Sequence, residues 1–590
     1  MNRLSPFVQK IIYICLIVAL LVPLSFIARP ASQRGEGGQG DTGGRLAMLR
    51  WQYNMSQAKL GEIDPASETM KLMSLGFRSV AATSLWLNAI DAQVKKDWDQ
   101  VATALNTLMR IQPNFHKVWD HQAHNLSYNI SVEFDDYEQR YSWVKKGLLL
   151  LRKGLSYNQR DHRFTDTLGK YSGQKIGRSD EKVEFRQLFR YDDDYHASLD
   201  DIFDRDSYDA GPYGKDNWLL AYQWFNRSMA MVEQGVAGEK APMRTKELMF
   251  YMNRPAQLRN HVSSLQREFP PEESFKFKWQ SAHDEWNEYG AREIRTSSNL
   301  RISLDGMEQT EMSMRKWREE LDVFAPGVRA KLLAEIDNQI SVSPEERRLI
   351  NLDIETLSED EKLKARLAMA RIEMANKTVD ESVLQAVKSA DRLVADELYL
   401  KIKQAYFRLH VIELDRSTIN YQYWKDRTFL EMSDEALVAH QSFYDAHDKY
   451  RAAIYDDFVA FDKQQLHPML DSNGVARIER GAIASFIAGF QFWADVSKNY
   501  PSLGSSAFFD IMLEDAGRVR EMVDALGRPW PKDFPFQAFI DANPSVAASY
   551  RLPNSESLKL DAQSGALPMR PSLEVNVDSS NPVDSSESQN

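Results

Sequence analysis

Apolar residues recur at helical spacing in one stretch of the chain after another. In "DWDQVATALNTLMRIQPNFHKVWDHQAHNL" (97–126), Trp98, Val101, Leu105, Leu108 and Met109 form one stripe, and Val118, Trp119, Ala123 and Leu126 form a second. Only Gln112-Pro113-Asn114 and its neighbours separate them. Two helices joined so tightly lie against each other, either as a joint in an array of helical hairpins or as a corner in a helical globule. Helical patterning runs from Arg45 to about Gly177, with breaks at Asp64-Pro65, Gln112-Pro113-Asn114 and Tyr157-Asn158-Gln159.

Self-comparison favours the array. Leu85 and Trp119 stand 34 residues apart, as do Ala89 and Ala123, and Pro113 follows Leu85 by 28 and Ala89 by 24. That is tetratricopeptide spacing, in which a large residue opens helix A, a small residue admits helix B and proline ends helix B. The register predicts that Ala123 packs against the helix B of its own unit. A second, degenerate unit starts at His116, its helix B running through "SWVKKGLLLLRKGL". "DHRFTDTLGKYSGQKIG" (161–177) echoes a third helix A through Leu168-Gly169.

Past Arg190 an acidic, turn-rich segment reads as a surface crossing. A helix follows with Trp218, Tyr222, Phe225 and Met229 in register, and "NLRISLDG" (299–306) alternates as a small edge strand or hairpin. Residues 310–415 carry three capping boxes, Ser343-x-x-Glu346, Ser358-x-x-Glu361 and Thr378-x-x-Glu381, and read as short packed helices. Aromatic-rich stripes return around Trp424 and Trp493. The predicted fold is all-α: a tetratricopeptide-like helical hairpin array, or α-solenoid, with a charged helical insertion and one N-terminal transmembrane helix. Its parts are an anchor (1–30), a Gly-rich linker (31–44), repeats (45–190), a helical region with an acidic loop (191–305), the insertion (306–415), a second repeat-like region (416–550) and a disordered Ser/Asn/Pro-rich tail (551–590).

The anchor reading rests on an apolar run from Ile11 to Ile27, extended by Phe7 and Val8 to residues 7–27. A cleaved signal peptide is the rival, but Ala28-Arg29-Pro30-Ala31 makes a poor cleavage site. Flanking cations barely discriminate orientation, since Arg3 and Lys10 face Arg29 and Arg34; the short amino tail favours a cytoplasmic start and a periplasmic body.

Composition narrows the function. A chain 43 % hydrophobic and 11 % aromatic has ample material for packed cores. Its net charge of −12, with no basic block, offers nucleic acid no electrostatic footprint. The single cysteine, Cys15, excludes an intrachain disulfide or a Cys-rich metal site, and leaves the body without a catalytic thiol.

"LGFRSVAATSLWLNAI", "DWDQVATALNTLMRIQPNFHKVWDHQAHNLSYNISVE" and "NYQYWKDR" together resemble a family of membrane-anchored, tetratricopeptide-like proteins of planctomycete-type bacteria. The similarity covers most of residues 60–300 and 415–540. It implies one N-terminal anchor in the bacterial inner membrane and a repeat-rich body, and it supplies no catalytic residues. Some members carry the label "iron responsive element", which nothing in this chain supports.

Candidate chemistry is sparse. His116, Asp120, His121 and His124 are spaced so that neighbours could share a metal on one helix face, giving a metal-dependent enzyme as the alternative function. The HExxH pattern is absent, and a polar groove face beside a buried stripe reads the same residues without chemistry. There is no Walker loop, dinucleotide fingerprint or nucleophile elbow, and "DRDSYDAG" lacks the alternation of a calcium loop. No cofactor is expected. The first reading is a non-enzymatic scaffold that presents a groove to a protein or peptide partner. The groove residues are Thr83, Trp86, Leu87 and Ile90 in the first unit and Lys117, Asp120, His121, His124 and Tyr128 in the second. A purely structural spacer of the envelope is a third reading.

Overall fold

The computed structural model describes residues 78–238, 247–296, 298–339, 343–351, 378–459, 478–500, 506–542 and 544–564, with isolated positions in 13–48, 364–368, 461–468 and at 503. The continuity of the anchor, the Gly-rich linker, the break at Asp64-Pro65, the Ser358 capping box and the tail beyond 564 lie outside the described residues. The chain divides into two compact units. One comprises Met1–Phe269, Ser274–Arg318 and Leu400–Phe429, and the other Pro270–Glu273, Glu319–Tyr399 and Leu430–Asn590.

The first unit is built from helical pairs. Helix α1 (Arg78–Val94) packs on α2 (Trp98–Ile111), and α3 (His116–His124) packs on α4 (Tyr137–Tyr157). Helix α5 (His162–Lys170) lies between α4 and a later helix, Asn217–Glu233. Aspartates start these helices: Asp97 accepts from Gln100 N (3.1 Å), Asp136 from Gln139 N (3.0 Å) and Asp161 from Arg163 N (3.2 Å), each satisfying a donor the helix itself leaves free. The breaks at Gln112-Pro113-Asn114 and Asn158-Gln159 fall between helices, as the pattern predicts.

Small residues set the distance between paired helices. Ala123 is fully buried, and its carbonyl oxygen would lie 3.0 Å from a Cβ placed on Gly147 of α4. Two helical turns farther along α4, a Cβ on Gly154 would lie 2.9 Å from Trp119 Cδ2 and press on Phe164 as well. The predicted contact of Ala123 with its own helix B is therefore present, and glycine on the facing helix completes it.

The acidic segment past Arg190 is not a surface crossing. After α6 (Lys182–Arg190) it forms α7 (Asp193–Ala197) and two 3₁₀ turns, and Tyr195, Leu199 and Tyr208 are buried in the core with Phe185 and Phe189. Its acids point outward or pair: Asp192 caps α7 and accepts from Tyr141 Oη (3.1 Å) and Lys145 Nζ (2.5 Å), and Asp209 pairs with Lys215 (2.5 Å). The apolar positions were too widely spaced among acids to show a period.

Helix α8 (Asn217–Glu233) follows, then α9 (Glu247–Glu268) and α10 (Ser274–Ala291). The α8 N-cap is Asp216, which accepts from the backbone N–H groups of Trp218 (2.9 Å) and Leu219 (3.0 Å). It also binds Arg186 (3.0 Å), which reaches Glu268 and Asn217 in turn; His261 Nδ1 lies 3.0 Å from its second oxygen. Burial alone would raise the Asp216 carboxyl, but Arg186 and His261 hold it well below the usual carboxylate range. The predicted hairpin near 299–306 is present as β1 (Ile294–Arg295) paired antiparallel with β2 (Arg301–Ile302), turning through Asn299 at φ 64°.

Beyond β2 the chain enters α11 (Met307–Phe324), α12 (Val328–Gln339), α13 (Pro344–Asn351) and α14 (Arg392–Thr418). The first capping box is reciprocal, with Ser343 N donating to Glu346 (2.8 Å) and Glu346 N to Ser343 Oγ (3.1 Å). The insertion is not made of short helices alone, because α14 has 27 residues. Helix α15 (Tyr421–Leu430) leads to α16 (Asp434–Arg451), which packs on α17 (Ala482–Asn499) through Gly489 and Phe443 in the second unit. Two small strand pairs went unread in the sequence: Phe458–Val459 with Ile478–Glu479, and Phe461–Asp462 with His467–Pro468. Each strand has two residues, too few to carry an alternation. Helix α18 (Ser506–Ala525) and three short helices end the described chain, the last at Ser555–Ser564, where a disordered tail was expected.

Gly154→Ala places a methyl group against the Trp119 and Phe164 rings. It is expected to lower unfolding stability by about 1–3 kcal/mol, read as a lower denaturant midpoint with an unchanged slope. An unchanged midpoint would contradict the packing of α3 and α5 on α4.

Candidate functional site

The predicted groove residues lie on α1 and α3, and Trp86 joins the two helices. Its indole meets the His121 ring edge-on at 5.3 Å between centroids and Phe115 at 6.1 Å. His121 Nε2 is 3.1 Å from Gln93 Oε1 on α1, so a second contact ties the same helices. Trp86 is half-buried by this, whereas Leu87 and Ile90 remain 56 % and 39 % exposed on the adjoining face of α1. Thr83 is exposed, and its hydroxyl donates to Ser79 O (2.9 Å).

On α3 the helix widens. Residues Asn125–Ile130 form a π-helix, and the same change occurs at Tyr171–Lys175 after α5. The two π segments start 46 residues apart (171 − 125), and the flanking residues keep that offset: His116 with His162, Asp120 with Asp166, Ala123 with Gly169. A π turn inserts a residue and re-aims the side chains beyond it. Here it brings Tyr128 edge-on to Tyr171 (5.4 Å), with Lys175 Nζ over the Tyr128 ring (4.7 Å) and His124 stacked on Tyr128 (4.7 Å, 14° between planes). Lys117 pairs with Asp120 at 3.6 Å on the solvent side.

Seven of the nine residues fall into two patches, with Thr83 and Lys117 exposed outside them. Trp86, Leu87, Ile90 and His121 make an apolar one, and Asp120, His124 and Tyr128 make a polar, aromatic one extended by Tyr171 and Lys175. Sequence reasoning missed Gln93, Phe115, Tyr171 and Lys175. The 46-residue offset was the signal that would have found the last two, but the 34-residue comparison passes over it.

His116 does not belong to the polar patch. It is 5 % exposed and packs edge-on against Phe164 at 4.7 Å, with neither ring nitrogen hydrogen-bonded. The shared metal site expected as the alternative is not assembled: His116 faces the core, His121 faces Trp86 and His124 faces Tyr128. Among the described residues, no group of three His, Cys, Asp or Glu side chains could hold a metal ion. A separate open cleft of about 640 Å³ lies between Thr310, Ser313 and Trp317 on α11 and Leu400, Gln404 and Phe407 on α14, far along the chain from the groove residues.

Burial favours the uncharged forms of the rings in the patch. Burial lowers the His121 and His124 imidazoles, with Asp120 opposing the effect at both, and burial raises the Tyr128 phenol. Compared with known protein families, curated proteins and solved structures, the chain matches none.

The buried His116 has a pH signature. Burial lowers its pKa, against the attraction of Asp120 and Asp161, so the folded state resists protonation that the unfolded chain accepts below about 6.5. Its contribution to stability is complete above that value and is lost as pH falls toward the folded pKa. Unfolding stability is expected to decline between pH 7.5 and 5.5, a window above the titration of unfolded aspartates. His116→Phe should make the decline shallower, the remainder coming from the other buried imidazoles; an identical slope in that variant would refute the assignment.

Proposed function

We propose that this chain is a non-enzymatic scaffold of the tetratricopeptide-like class, related to the membrane-anchored proteins it resembles. In this reading residues 7–27 hold it in the bacterial inner membrane, and its helical pairs present the α1–α3 face to a protein or peptide partner on the periplasmic side. The observation that carries the reading is the junction at Trp86 and His121. There, exposed Leu87 and Ile90 adjoin the Asp120, His124 and Tyr128 patch.

The chemistry of that junction suits an extended peptide. An apolar anchor seated near Leu87 and Ile90 would bury hydrocarbon, while its backbone and polar groups would find Asp120, His124 and the Tyr128 hydroxyl. Stacked helical pairs leave such a face free because each pair buries its core against its neighbours. For the anchor, the support is the apolar run itself. Its described positions, including Tyr13, Leu16, Phe26 and Ile27, are helical and exposed. No helix among the described residues is long and apolar enough to cross a membrane.

A photo-crosslinking residue at Leu87 in the native membrane tests the reading. One discrete polypeptide is expected to crosslink from Leu87 and not from Val438, an exposed apolar position in the second unit. Asp120→Ala with His124→Ala should reduce the yield at least tenfold while leaving the unfolding midpoint unchanged. Equal yield from the double variant would move the site elsewhere.

A further inference from the structure

The open cleft of about 640 Å³ between α11 and α14 is lined by residues of the first unit. Thr310, Ser313 and Trp317 line it from α11 at spacings of three and four, and Leu400, Gln404 and Phe407 from α14 at spacings of four and three, so each trio occupies one face of its helix. The two helices are tied beside it. Arg318 of α11 lies over the Tyr406 ring of α14 (5.1 Å) and donates to its hydroxyl, and Met307 at the start of α11 packs on the cluster that holds Ile412 of α14. Along α11 these ties bracket Thr310, Ser313 and Trp317, which holds that wall of the cleft in place.

The hydroxyl groups on the wall are committed to their own helix. Thr310 Oγ1 donates to Gly306 O (2.7 Å) and Ser313 Oγ to Gln309 O (2.8 Å), each four residues back. The surface left to a ligand is largely hydrocarbon: Trp317 and Leu300 are half-buried, and Leu400 and Phe407 are 54 % and 51 % exposed. Large apolar side chains held open along a trough suit an apolar body that covers them. A peptide suits it less well, because its backbone amides would lie against walls whose hydroxyl protons are already donated elsewhere.

The charged side chains lining the cleft are all cations, Lys401, Lys403 and Arg408, with no carboxylate among them. Both lysines interact with other groups, whereas Arg408, exposed beside Phe407, makes no hydrogen bond or ion pair among the described residues. One uncommitted guanidinium at the edge of an apolar trough matches one carboxylate. Its fork takes both oxygens, and its single charge balances a single negative one, where a phosphate dianion would call for more.

We propose that the α11–α14 cleft binds a straight-chain monocarboxylate, its acyl chain laid along Trp317, Leu400 and Phe407 and its carboxylate on Arg408. From Leu400 to Arg408 the helix rises about 12 Å, long enough to seat an octanoate chain lengthwise. None of these residues contributes to the α1–α3 face, so this site is independent of the scaffold reading.

Calorimetric titration of the full-length protein with octanoate, octanamide and acetate tests it. Octanamide keeps the chain without the charge, and acetate keeps the charge without the chain. Octanoate is expected to bind saturably at one site, at least tenfold tighter than octanamide, and acetate to show no saturable binding. Arg408→Gln should remove the preference for octanoate over octanamide, and Leu400→Gln with Phe407→Gln should weaken both at least tenfold. These variants change exposed side chains, so the melting temperature should not move; if the double variant fails to fold, Arg408→Gln decides. Absence of saturable octanoate binding, octanamide or acetate binding as tightly as octanoate, an undiminished preference for octanoate in Arg408→Gln, or full octanoate affinity in the folded double variant would overturn the proposal.

Discussion

The first unit depends on backbones brought close together by residues with little or no side chain. Gly147 and Gly154 on α4 admit Ala123, Ser127 and Trp119, and Gly169, Gly173 and Gly177 admit Phe225 and Trp218 from α8. The seam changes sides between pairs: glycines lie on the second helix where α3 meets α4, and on the first where α5 meets α8. In both, a large ring fills the notch that a missing Cβ leaves, so the contact is at once close and extensive. Interiors packed to this density do not absorb an added methyl group without displacing rings or backbone.

Polar groups are buried beside these rings as well. At the α6–α8–α9 junction Arg186 pairs with both Asp216 and Glu268, and Asp216 caps the N-terminus of α8. Removing one member of such a network leaves the others buried without compensation, at a cost of about 3–5 kcal/mol. On the opposite side the π turns after α3 and α5 keep each helix continuous while redirecting its side chains. Tyr171 and Lys175, both buried, thereby come against the half-buried Tyr128 beside His124 and back the polar half of the candidate groove from the core side.

Much of this was legible in residue order. The apolar stripes mark the helices from α1 to α5 and the joints at Pro113 and Asn158, and the 34-residue spacing singles out Ala123, which lies buried against α4. What escaped notice followed from effects that leave no period. Tyr195, Leu199 and Tyr208 are buried within an acidic segment because short 3₁₀ turns, not a regular helix, bring them inward. His116 looks like part of a ligand set by spacing, yet its ring points into the core, and His121, five residues on, stands about 140° round the helix from it. Arg259 carries no signal in its sequence neighbours, and only the fold brings Trp424 over its guanidinium.

The central claim is that pairing of α1 with α2, and of α3 with α4, leaves the Leu87–Ile90 face of α1 open to a partner. Cysteine labelling tests this most directly. In full-length protein with Cys15→Ala, single cysteines at Leu87, Ile90 and the buried Ala89 are exposed to a maleimide under native conditions. The account predicts labelling of the Leu87 and Ile90 positions at rates close to those in denaturant, with the Ala89 position protected by at least a hundredfold. Protection of all three positions to the same degree would mean that the face is covered by the protein's own chain, and would contradict the account.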